Sequence, residues 1–151
     1  MTTDSKLLPS NIREFNEITA VIFAKLYVLF PEPVFIDIGE AAKVLGISSA
    51  TNELRSGRTF GDVFSHTLTW LIEEGFITTR PSTPRPRCVL TTKALTVMNL
   101  IPPNLTKSLG TQIMEATKNG SSESGKSEMV GLMGNFFGNF VGSMTKTIMG
   151  S

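Results

Sequence analysis

Histidine and cysteine occur once each in this chain, at His66 and Cys88. A lone cysteine excludes an internal disulfide and fits a reducing compartment. A zinc site needs more Cys or His ligands, or carboxylates converging with them. Nothing in the sequence groups with His66, so it reads as a satisfied surface or core histidine. Cys88 reads as a small apolar residue on a strand. No glycine-rich phosphate loop precedes a helix. With no catalytic constellation, the expectation is a protein that is not an enzyme and needs no cofactor or metal.

Charge of one sign is also lacking. The chain has 14 basic and 13 acidic residues, so it is not a polyelectrolyte as a whole. Any nucleic-acid role must rest on local charge. The opening MTTDSKLLPS has no basic region followed by an apolar one, so no secretory signal is expected. The expected compartment is the cytoplasm, with a peripheral membrane position as the alternative.

What is present begins with apolar content. Hydrophobic residues make up 40 % of 151 residues, enough for a packed core. That length suits one ordinary domain, or a smaller domain with an appendage. Residues 1–9 read as a loose arm. Asn11 followed by Glu14 predicts a helix N-cap with its reciprocal acid. Ile12, Phe15, Ile18, Ile22, Leu26 and Leu29 then recur at helical steps, and Pro31 stops the helix. Its second half is apolar enough to be buried on more than one side. Asp37 with Glu40 predicts a second start, and Ile38, Ala41, Ala42 and Leu45 form its short apolar face before Gly46. Phe60, Val63, Phe64, Leu68, Leu71 and Ile72 share one face of a third helix, ended by Gly75. Phe76–Arg80 and Arg87–Leu90 read as two strands around a proline-stiffened loop. Thr91 or Thr92 caps a last short helix, stopped by Pro102 and Pro103.

The stretch LTWLIEEGFITTR…RCVLTTKAL resembles the third helix, wing and following helix of winged-helix transcriptional regulators. The short alanine-bearing helix ended by Leu45-Gly46-Ile47 is similar to the first helix of a helix-turn-helix unit. The resemblance covers roughly residues 10 to 100 and concerns the fold. It implies a mainly α winged helix-turn-helix domain with a small β-hairpin over residues 10–103. The pattern departs from such regulators between Gly46 and the third helix, where about a dozen residues intervene. Ser48–Leu54 is expected to form its own turn of helix.

The resemblance implies a non-catalytic regulator that binds duplex DNA, and it sets the candidate contacts. Between Thr78 and Lys93 the charges are Arg80, Arg85, Arg87 and Lys93, with no acid. Arginines on a hairpin suit phosphate or the narrow minor groove. A solvated basic loop is the plain alternative. Arg55, Arg58, Thr59, Ser65 and His66 are the candidate contacts around the reading helix. That helix has none of the Lys, Arg, Asn or Gln that usually read bases, and it carries Asp62, Glu73 and Glu74. Residues 1–100 hold ten basic and ten acidic side chains, a poor balance for a DNA binder. A winged-helix adaptor that docks on a protein is the second expectation.

Residues 104–128 read as a weak helix followed by a Gly/Ser linker over Asn119–Glu128. Residues 129–151 read as a separate amphipathic, Gly-rich helix. Gly134, Gly138 and Gly142 form one stripe, and Phe136, Phe137, Phe140 and Val141 belong to the opposite Phe/Met half. This tail has three expected uses: docking on the domain or on a partner subunit, close packing on another helix through the glycines, or a membrane interface. Docking or self-association is favoured over membrane binding, so a homo-oligomer is one expected partner. A true span is not expected, because Asn135, Asn139 and Lys146 interrupt a stretch of barely the needed length.

Overall fold

The apolar helix near the start of the chain forms the centre of the molecule. The computed structural model describes residues 8–150, with side chains through Asn139. Among these residues, six helices and one antiparallel pair of strands follow in order: α1 (Ser10–Leu29), α2 (Ile38–Val44), α3 (Phe60–Glu73), β1 (Ile77–Arg80), β2 (Arg87–Leu90), α4 (Thr92–Met98), α5 (Leu109–Thr117) and α6 (Glu123–Gly150). The class is mainly helical with a small sheet.

Helix α1 buries Ile18, Ala20, Ile22, Phe23 and Leu26, and packs against α3, α5 and α6. Burial on several sides follows from its apolar second half. Its start differs from the expected Asn11 cap. The helix begins at Ser10 with Pro9 in the cap position and no side-chain cap. The Pro9 carbonyl accepts the amides of Ile12 and Arg13, both at 3.1 Å, and so closes the first turn. Glu14 does not reach back, because its Oε2 accepts the Ser56 amide at 3.1 Å.

Local signals hold through the middle of the chain. Asp37 caps α2 by accepting the Glu40 amide at 2.9 Å. Thr91 caps α4 by accepting the Ala94 amide at 3.3 Å. Gly46 and Gly75 end their helices at φ +73° and +83°, a region that penalises a side chain. Ser48–Leu54 departs from the expected helical turn. A single turn stands there instead, closed by the Asn52 amide donating to the Ser49 carbonyl at 3.1 Å, and Glu53 and Thr59 make an isolated bridge. Strands β1 and β2 pair Ile77 with Leu90, Thr78 with Val89, Thr79 with Cys88 and Arg80 with Arg87. Val34 adds a single bridge on the other edge of β2, with both of its backbone bonds to Cys88 made, at 2.7 and 2.8 Å.

The expected linker and separate tail are corrected by the structure. Helix α6 begins at Glu123, inside the expected linker. The Gly/Ser run before it is a close-packed turn. A β-carbon on Gly120 would sit 3.0 Å from the Val44 carbonyl oxygen, and one on Gly125, in the first turn of α6, only 1.8 Å from that of Asn119. Small residues stand there because the backbone approaches itself, which composition alone cannot distinguish from flexibility. Beyond the turn, Met129, Met133 and Phe136 are wholly buried. Phe136 meets Phe23 at 5.0 Å and Phe76 at 5.7 Å, so Met129, Met133 and Phe136 complete the core. Gly134 and Gly138 face open space, with nothing within 4 Å of an added β-carbon. Among the described residues, no helix packs closely on those two glycines. The expectations at Phe140, Val141 and Gly142 lie outside the side chains described.

Candidate nucleic-acid interface

Alternation along the hairpin decides what its outer face shows. Residues two apart on a strand share a face. Ile77, Cys88 and Leu90 lie on the core side and are buried. Thr78, Arg80, Arg87 and Val89 lie on the other side, which is covered at Val89 (5 % exposed) and open at the two arginines. Arg80 and Arg87 are directly opposed across the strands, and both are exposed. Like charges in that position disfavour the ladder. Arg80 Nη1 approaches the Thr79 carbonyl at 3.4 Å, and Arg87 Nε donates to Ser82 Oγ at 3.2 Å. These contacts orient the guanidiniums without neutralising them.

Arg85 sits in the loop between the strands, with its guanidinium carbon 5.1 Å from the centre of the Phe35 ring. A cation over an aromatic face is held yet keeps its donors. Phe35 and Ser82 thus position the hairpin arginines, and no local sequence signal marks either residue. Among the described residues, the ion pairs are Arg13–Glu123, Lys25–Glu40 and Lys107–Glu115, and none involves the hairpin. Acids are absent from residues 75–114, a run that includes Arg80, Arg85, Arg87, Lys93 and Lys107. Lys93 has a structural role. Its Nζ donates to the Glu74 carbonyl at 2.7 Å and lies 4.4 Å from the centre of the Phe76 ring.

The other expected contacts are dispersed. Thr59 Oγ1 accepts the Asp62 amide at 3.2 Å, so this hydroxyl caps α3. Ser65 and His66 are exposed on α3, but they share its outer face with Asp62, Thr69, Trp70 and Glu73. Arg58 and His66 line a groove of about 350 Å³ between α1 and α3. Arg55 lines a different, polar cavity with Glu14, Glu17, Glu123 and Lys126. There burial pushes the Glu17 carboxyl up to about 7, with Glu123 and Glu14 adding to the rise and Lys126 and Arg13 opposing it. Burial also raises the Cys88 thiol, which makes it a poor nucleophile. No group of three or more His, Cys, Asp and Glu residues converges as a metal site among the described residues. No helix among them is long and apolar enough to cross a membrane.

Searches against protein-family models, curated proteins and solved structures give no match to this chain.

Proposed function

We propose that the chain is a non-catalytic winged-helix regulator that binds duplex DNA chiefly through its hairpin. The order of helix, bridge residue, two helices and hairpin supports the winged-helix reading, with Val34 as the short third strand beside β2. The observation that carries the binding proposal is the outward pair Arg80–Arg87. Two guanidiniums held side by side, without an acid, suit the oxygens of a phosphate backbone. Arg85 adds a third charge near the tip. Helix α3 contributes little base readout in this scheme, because its outer face carries Asp62 and Glu73 and no Lys, Arg, Asn or Gln.

Fluorescence anisotropy on random duplex DNA tests the proposal. Binding should appear at low salt and weaken steeply as salt rises. Absence of binding at low salt overturns it, because the non-specific electrostatic attraction is strongest there.

A protein-docking adaptor is the second reading. It is favoured by the face of α3 itself, where Trp70 stays 41 % exposed beside acidic residues. Partner binding that persists when Arg80 and Arg87 are replaced by alanine supports this reading over the first.

A further inference from the structure

We infer that the groove between α1 and α3 is a self-association site that receives residues 140–150 of a second copy of the chain. The groove is lined by Ile12, Phe15, Arg58, Val63, His66, Thr67 and Trp70. In the single chain Ile12 stays 40 % and Trp70 41 % exposed, so an apolar wall remains open to an outside occupant. Large side chains left bare around a concavity mark a docking surface more often than scattered surface residues do.

The chemistry of the occupant is written in α6. Its core-facing stripe of Met133, Phe136 and Phe137 continues in sequence as Phe140, Met144 and Ile148, with Val141 beside it. Helix α6 runs on to Gly150, roughly 16 Å beyond Asn139 at 1.5 Å per residue. The same kind of side chain already fits this part of the molecule. Phe137 meets Phe15 at 5.8 Å and Trp70 at 6.1 Å, and those two rings also wall the groove. Methionine suits such a wall, because its sulfur packs well against aromatic edges.

Charge points the same way. Residues 140–151 contain Lys146 and no acid. Glu73 and Glu74 stand exposed one turn beyond Trp70. Exchange between two copies would make the contact twice, about a two-fold axis, which closes the assembly as a dimer. It would also cover the acidic face of α3, leaving the hairpins free. This inference does not depend on DNA binding, and its test contains no DNA.

Disulfide trapping in the full-length chain is that test. The native thiol of Cys88 is buried and does not compete. A His66→Cys chain is mixed with a Met144→Cys chain and equilibrated with oxidised glutathione. The expected product is a cross-linked pair with one chain of each kind, at least about tenfold above either chain alone. In parallel, sedimentation of the unmodified chain should give twice its 16.4 kDa mass. Met144→Lys should raise the dimer dissociation constant at least about tenfold with the helical circular dichroism unchanged. A monomeric native chain overturns the inference. So does a disulfide that forms only within a doubly substituted chain, since the segment then docks on its own groove. Flotation with anionic vesicles by a chain that stays monomeric also overturns it, and assigns the segment to a lipid surface.

Discussion

Hairpin β1–β2 turns two arginines outward, and helix α6 turns Met129, Met133 and Phe136 inward. Both regions pair an apolar face with a polar one, yet they spend the pairing differently. The hairpin buries Ile77, Cys88 and Leu90 to hold Arg80 and Arg87 in the open. Helix α6 buries Met129, Met133 and Phe136 and leaves glycine outside. One region displays charge on a small base, and the other fills the core. Stability and binding should therefore separate cleanly between them.

Phe136→Ala is the severest way to break that division. Removing a wholly buried ring between Phe23 and Phe76 should cost about 3–5 kcal/mol, read from urea unfolding by the fluorescence of Trp70. The double change Arg80→Ala, Arg87→Ala should leave stability within about 0.5 kcal/mol or raise it slightly, because it relieves like charges across a ladder. A large loss from the arginine pair, or none from Phe136, would erase the distinction.

Glycine substitution sharpens the contrast within α6 and its turn. Gly125→Ala forces a β-carbon onto the Asn119 carbonyl and should cost about 2–4 kcal/mol. Gly134→Ala meets open space on the same helix and should gain about 0.5–1 kcal/mol, since glycine weakens a helix interior. Equal effects at the two sites would mean that the turn is loose.

These glycines also explain how far the sequence could be read. The hairpin strands, the Asp37 and Thr91 caps and the helix ends at Gly46 and Gly75 are set by neighbours close in sequence. Periodicity and turn chemistry are enough to place them. The turn before α6 depends on Val44, and the burial of Phe136 depends on Phe23 and Phe76. Those partners are remote, so a Gly/Ser run and an apolar tail read as linker and appendage. The site divides the same way. Arg80, Arg85 and Arg87 are visible from acid-free local charge. Phe35 under Arg85 is invisible, as is the capping role that occupies Thr59.

The seam between α6 and α1 supplies a milder test through pH. Glu17 is raised from 4.5 to about 7, mainly by burial. Its folded form therefore holds a proton more tightly than its unfolded form. That contribution to stability is full below about pH 4.5, falls as pH rises and is lost above about 7. Glu17→Gln should remove this slope. Its advantage over the native chain should grow by roughly 1–3 kcal/mol between about pH 5 and about pH 8, read from urea midpoints. An advantage that does not change with pH would place Glu17 in water rather than in the seam.

The most direct measurement compares the salt dependence of duplex DNA binding for the native chain and for the Arg80→Ala, Arg87→Ala chain. If each arginine meets one phosphate, affinity at low salt should fall by about ten- to a hundredfold. The plot of log affinity against log salt should become shallower by roughly 1.8, the counterion release of two contacts. An unchanged slope and affinity would contradict the account, and would leave the hairpin as a solvated loop beside some other binding surface.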